Sequence, residues 1–281
     1  MPPLRGCEKL WDNLECGDKS PHSKLSHYFS AGIERVLAYL VSLFLLLNLQ
    51  CYKKRQMHTM QSKRGNRTML YFQDRFDAGK RLAQLLSQYK NNSEVVIYAL
   101  PRGGVEVAAE IAKFLNAPLD LVFAHKIGHP YQPEYAIAAL SESGQLVGSA
   151  NELENVDEVW LETEKANQIE EMKRRRQVYL RNRNEISPEG KIAIIVDDGI
   201  ATGLTLKAGI MDLKNRHPKK MVVAVPVAPK STAELIRKMV DEFVAIEVPD
   251  DYAFLGSVGS YYHQFNQVED SEVIHLLSQH P

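Results

Sequence analysis

From Tyr71 onward, apolar runs of strand length alternate with stretches whose apolar residues recur at helical spacing. Asp74 to Tyr89 places Ala78, Leu82, Leu85, Leu86 and Tyr89 on one helical side, which predicts an amphipathic helix. Val95 to Leu100 is a short continuous apolar run and predicts a buried strand. It ends at Pro-Arg-Gly-Gly, and Val105 to Leu115 is again helical. Leu119 to Ala124 predicts a second strand. Residues 126–135 (KIGHPYQPEY) contain two prolines and are expected to form an irregular loop. Residues 136–148 predict a hairpin around Ser143-Gly144, and Leu153 to Asn184 a long charged helix. Strands at Lys191–Val196, Met221–Val227 and Phe243–Val248 then alternate with helices at Thr205–Asn215 and Ser231–Val240.

Strands that are apolar throughout, separated by helices, belong to a parallel sheet covered on both faces. The expected fold is therefore α/β, with a mostly parallel, doubly wound sheet. In such sheets ligands bind beyond the carboxyl ends of the strands. Two segments fall there: Pro-Arg-Gly-Gly after the first strand, and Asp197-Asp198-Gly-Ile-Ala-Thr-Gly after the strand that ends at Val196.

The first 68 residues break the pattern. They carry 11 basic and 5 acidic side chains of the chain's 34 and 35, so the remainder is net acidic. That balance argues against non-specific nucleic-acid binding by the remainder. Residues 36–49 form an apolar segment, shorter than the roughly 20 residues a helix needs to span a bilayer. Three readings stay open: a weak membrane anchor, a signal-like segment, or a start further along at Met57, Met60 or Met69. The expected division is an extension over 1–68 and one domain over 69–281. Cys7, Cys16 and Cys51 all lie in the extension, so the domain has neither disulfide nor thiol nucleophile. This fits a cytoplasmic protein.

The candidate chemistry lies at the second segment. Gly199 to Gly203 (Gly199, Ile200, Ala201, Thr202, Gly203) is mostly small, so its backbone N–H groups are accessible. The helix that follows brings unpaired N–H groups and a positive dipole end. Together they suit a phosphate, with the hydroxyls of Thr202 and Thr205 adding bonds. Asp197 and Asp198 would repel a phosphate in contact with them. They suit the hydroxyls of a sugar on the same ligand, or a bridging divalent cation. The pattern of a Walker phosphate loop is absent.

This segment resembles the signature of type I phosphoribosyltransferases: apolar strand, two acids, small-residue loop with Thr-Gly, and Thr at the helix start. The resemblance implies that fold, with a small hood, and it extends over about 200 residues. LPRGGV then matches the loop that meets pyrophosphate, with Arg102, Gly103 and Gly104 as contacts. HKIGHPYQPEYA is similar to the mobile loop of purine-type members. There Lys126 would meet pyrophosphate and Glu134 the base or its proton; both can equally be a solvated pair. The aromatics Tyr252, Phe254, Tyr261 and Tyr262 either form the hood over a flat base or pack in the core. From Met69 the chain is also similar to stand-alone bacterial phosphoribosyltransferases.

The implied function is transfer of phosphoribose from phosphoribosyl diphosphate to a nitrogenous, purine-like acceptor, with pyrophosphate released. Mg²⁺ is the implied cofactor, bound mainly through the substrate and not by the protein directly. The alternatives are a phosphoribosyl diphosphate-binding regulator without turnover, and a hydrolase or phosphorylase of a related ribosyl compound. The charged helix, with Glu170–Arg174 and Glu171–Arg175 at i,i+4, is expected to be solvated and to pack on a neighbour or a second subunit. That leaves a homodimer open and makes a nucleic-acid arm the weaker reading. A membrane partner enters only through residues 36–49.

Overall fold

The computed structural model of the chain describes residues 72–181 and 183–280. The readings of residues 1–68 as an extension, and of 36–49 as an anchor, lie outside the described residues. Helix α1 (Arg75–Leu85) leads to β1 (Val95–Ala99) and α2 (Gly103–Leu115). Next come β2 (Leu119–Leu121), β3 (Ala124–His129), β4 (Gln132–Ser141) and β5 (Leu146–Gly148). Two helices follow, α3 (Ala150–Glu154) and α4 (Glu158–Leu180). The chain then alternates β6 (Ile192–Val196), α5 (Leu204–Lys214), β7 (Lys220–Val227), α6 (Lys230–Arg237) and β8 (Glu242–Glu247), and closes with α7 (Asp270–Ser278).

Five strands form one parallel sheet in the order β2-β1-β6-β7-β8. Every residue of β1 and β6 is buried, as expected of strands covered on both faces. Alternate residues face opposite layers. Ile97, Ile194 and Val222 pack with Leu82, Val107 and Ile111 of α1 and α2. Tyr98, Ile195 and Val223 pack with Leu206, Ile210 and Leu213 of α5. Strand order reverses between β1 and β6, which pair from Val95↔Ile192 to Ala99↔Val196. The loops leaving these two neighbours run to opposite sides of the sheet, the place where open parallel sheets bind their ligands.

The small sheet β3-β4-β5 is antiparallel and lies against α5. Its first hairpin corrects the expectation of an irregular loop at 126–135. Pro130 sits in the turn, and Pro133 lies next to a register shift near Gly128, where a ladder hydrogen bond is not required. Gly128 has no room for a side chain, since a Cβ there would sit 2.1 Å from the Pro133 carbonyl oxygen. The expected helix over Leu153–Asn184 is broken after Glu154 and restarts at Glu158. Asp157 caps the restart by accepting from the Trp160 N–H at 2.8 Å. Arg174 pairs with Glu171 and not with Glu170, and Glu171 holds Arg175 as well. Among the described residues no helix is long and apolar enough to cross a membrane.

Ile194 lies mid-strand with no exposed surface. Ile194→Ala is expected to cost about 2–5 kcal/mol of stability, read as a lower urea midpoint at unchanged slope. Leu235→Ala, on the exposed side of α6, should stay within about 0.5 kcal/mol.

Candidate functional site

The pairing of β1 with β6 brings the two sequence segments together. The Leu100 N–H donates to the Val196 carbonyl at 2.9 Å, so Pro101–Gly104 leaves the sheet beside Asp197 and Asp198. Helix α2 begins against the two acids because Gly103 and Gly104 carry no side chains. A Cβ on Gly103 would lie 2.0 Å from Asp198 Oδ2, and one on Gly104 would lie 2.9 Å from the Val196 carbonyl oxygen. The Pro101–Arg102 peptide is cis.

The two carboxylates have different surroundings. Asp197 Oδ1 accepts the Asp198 N–H at 2.9 Å. Burial and the neighbouring Asp198 charge push its carboxyl well above the usual range, and the charges of Arg75 and Lys126 act the other way. Asp198 is also raised by burial, but Arg75 opposes the rise with a charged hydrogen bond, Nε to Oδ2 at 2.7 Å. Arg75 is itself buried. Its Nη1 donates to the Asn266 carbonyl at 2.8 Å and reaches Glu106 Oε2 at 3.4 Å, and its guanidinium lies 3.8 Å from the Phe265 ring centre. Tyr262 donates its hydroxyl to the Asp198 carbonyl oxygen at 2.5 Å.

The loop after the acids is held from below and open above. Gly199, at φ 144°, packs where a Cβ would meet Val258 at 2.6 Å. Ile200 is buried in the core, and its N–H donates to the Val227 carbonyl at 2.9 Å. This differs from its place among the ligand contacts: Ile200 anchors the loop, because an apolar side chain gains more in the core than against a phosphate. Thr232 of α6 donates its hydroxyl to the Ala201 carbonyl at 2.7 Å. Ala201 and Thr202 are exposed, and the N–H groups of Ala201, Thr202 and Gly203 have no partner among the described residues. Gly203, at φ 71°, caps α5, whose first turn carries the half-buried Thr205.

The structure gathers some expected residues and separates others. Lys126 is exposed on β3, near enough to Asp197 to act on its charge. Lys126 pairs with Ala139 in the ladder, so Glu134 stands five residues further along β4, about 17 Å of strand away. Arg102 points to the start of α7, where Asp270 accepts from it at 3.4 Å and from the Tyr179 hydroxyl at 2.6 Å. Tyr252 is exposed and donates to Asp250 at 3.1 Å; Phe254 is half-buried, with its ring 5.6 Å from that of Tyr261. Tyr261 and Tyr262 are core residues packed with Phe72. The sequence reading missed Arg75, Glu106, Thr232 and the contacts of Tyr262. Only Arg75 left a trace: it is in helical register with Ala78 and Leu82, where a charge is out of place.

Chemically, the arrangement offers unpaired N–H groups and a helix start for a phosphate, two carboxylates for hydroxyls, and cations for a second anion. Among the described residues there is no cluster of three metal-ligating side chains. Two carboxylates, one already tied to Arg75, suit a hard cation that takes most of its oxygen ligands from water and phosphate.

An acid whose folded pKa is raised costs stability as pH rises past its unfolded pKa of about 4, and the cost grows until the pH reaches the folded pKa. Asp197→Asn keeps an acceptor for the Asp198 N–H. Its stabilising effect should therefore grow as pH rises from about 4 to about 8. Melting curves across that range check this; a constant difference would show that the Asp197 carboxyl is not raised by folding.

A family model described as a phosphoribosyl transferase domain matches residues 68–263. Two proteins of Mycobacterium tuberculosis, strains CDC 1551 / Oshkosh and ATCC 25618 / H37Rv, carry names that mark them as provisional phosphoribosyl transferases. Each is 40% identical over 211 residues, covering 74% of this chain and 47% of the relative. The chain thus spans about half the length of these relatives. The crystal structure of protein TT1426 from Thermus thermophilus is similar at a TM-score of 0.63 and 37% identity, covering 75% of this chain and 99% of that one. With a family match over most of its length, and with this sheet order and this pair of loops, the chain belongs to the phosphoribosyl transferase domain family.

Proposed function

We propose that the protein transfers phosphoribose from phosphoribosyl diphosphate to a nitrogenous acceptor of purine-like type and releases pyrophosphate. The observation that carries this reading is the meeting of an acidic pair and an open N–H loop at one sheet edge, beside the glycines of the neighbouring strand's loop.

The 5′-phosphate is assigned to the N–H groups of Ala201, Thr202 and Gly203 and the hydroxyls of Thr202 and Thr205. The dipole of α5 favours its charge. Ribose hydroxyls donate to Asp197 and Asp198. The bond from the anomeric carbon to the pyrophosphate oxygen breaks and its electron pair leaves with pyrophosphate. The acceptor nitrogen supplies the pair for the new bond. Positive charge develops on the ribose, as in other glycosyl transfers. Lys126, and Arg102 once released from Asp270, would offset negative charge on the leaving group. Mg²⁺ held by the diphosphate would supply further positive charge there. Tyr252 and Phe254 follow β8 at the same sheet edge and are assigned to the base side of the site. Glu134 reaches the base only if the β3–β4 hairpin bends toward the two loops. The acidic domain and the absence of cysteine from it support a cytoplasmic setting.

Pyrophosphate release from phosphoribosyl diphosphate and Mg²⁺, measured across a panel of bases, tests the proposal. Release with at least one base is expected. Ligand binding without release for any base would instead favour the regulator. Lys126→Ala should slow turnover by about 10²–10³-fold, the usual scale for one electrostatic stabiliser. Thr205→Val should reduce the ligand's stabilising effect in melting experiments by about 1.5–3 kcal/mol, the scale of a hydrogen bond to a charged acceptor. Unchanged melting shifts in that variant would remove the loop from phosphate binding.

A further inference from the structure

The acidic pair is held asymmetrically, and the asymmetry points to a residue outside the two loops. Asp197 is fixed by one backbone N–H. Asp198 is fixed on several sides. Arg75 holds Oδ2, Tyr262 holds the backbone carbonyl, and the bare Cα of Gly103 closes the space next to Oδ2. Among the described residues no other residue donates to the second oxygen of Asp198, Oδ1, which is left for a ligand. The guanidinium cannot drift, because Asn266 and Glu106 hold its other end and Phe265 covers its face.

We propose that Arg75 is a positioning residue for the sugar: it fixes Asp198 in the orientation in which its free oxygen accepts a ribose hydroxyl. The role rests on the phosphoribosyl reading above. It divides labour in the pair. Asp198 is pre-set and loses little side-chain freedom on binding, whereas Asp197 adapts to the ligand and to a cation. Ligand recognition thereby depends on α1, an element that contributes no atom to the two loops. The competing account is structural: Arg75 also ties α1 to Glu106 of α2 and to Asn266. The two accounts differ in whether the effect of Arg75 passes through Asp198.

A double-mutant cycle separates them. Phosphoribosyl diphosphate with Mg²⁺ is titrated calorimetrically into the wild-type chain, Arg75→Met, Asp198→Asn and the double variant. Arg75→Met is expected to weaken binding about tenfold or more in the wild-type background, and less than about twofold in the Asp198→Asn background. Equal losses in the two backgrounds overturn the proposal. Where Arg75→Met does not fold, Arg75→Lys carries the same comparison, with a smaller loss expected because a cation remains without the fork. Where Asp198→Asn abolishes measurable binding, inorganic pyrophosphate with Mg²⁺ serves as a second probe. It has no ribose, so Arg75→Met should leave its affinity within about twofold, and an equal loss for both probes overturns the role. A wild-type chain that does not bind phosphoribosyl diphosphate overturns the phosphoribosyl reading itself, and this role with it. A wild-type chain that binds, with additive losses, overturns the role of Arg75 alone.

Discussion

Two like charges at the end of one buried strand constrain everything around them. Asp197 and Asp198 follow β6 where water is scarce and where neither gains from the other. Leaving a buried charge without a partner typically costs about 3–5 kcal/mol. Arg75 answers this on Asp198, and the nearby charge of Lys126 acts on Asp197. Because Arg75 comes from α1 and is steadied by Asn266 and Phe265, segments near both ends of the described chain converge on the middle of the sheet. The ion pair is therefore a tie in the fold as well as a feature of the site.

Space is the second constraint. Helix α2 can start beside the acids only because Gly103 and Gly104 leave room for carboxylate and backbone. The small-residue loop is likewise fixed and not slack. Ile200 is inserted in the core, Gly199 is pressed against Val258, and Thr232 holds the Ala201 carbonyl. Among the described residues, the N–H groups of Ala201, Thr202 and Gly203 remain without a partner. A cradle built in this way needs little reorganisation when an anion arrives, which favours affinity.

Much of this was legible before any coordinates. Strands that are apolar at every position can lie only inside a sheet, so β1, β6 and β7 stood out, as did the acids and small residues that end them. The hairpin of β3 and β4 did not, because Pro130 and Pro133 read as breakers when the turn and the register shift that tolerate them are unseen. The break before α4 was carried by one cap, Asp157, inside a run of acidic residues that hid it. The aromatics near the end of the chain could not be divided by sequence into Tyr261 and Tyr262, which are buried, and Tyr252, which is not. Arg75 was visible as a charge on an apolar stripe, but its partner lies 123 residues away. Such pairings follow from topology, and periodicity does not report them.

The closing of the C-terminal segment onto the N-terminal one has a temporal consequence. Phe72 donates its N–H to Tyr261, and His263 and Gln264 donate theirs to Phe72 and Gln73. The same segment brings Tyr262 to the Asp198 carbonyl and Asn266 to Arg75. During synthesis Asp198 leaves the ribosome 64 residues before Tyr262 does. At about 5–20 residues per second, the acids wait several seconds for the groups that steady them. The strands of the parallel sheet have all been made by then, so the nascent chain can hold its layers together while its ligand site is still unfinished. A nascent chain halted just before Tyr262 emerges would carry the strands of the sheet without the hydroxyl that holds the Asp198 carbonyl.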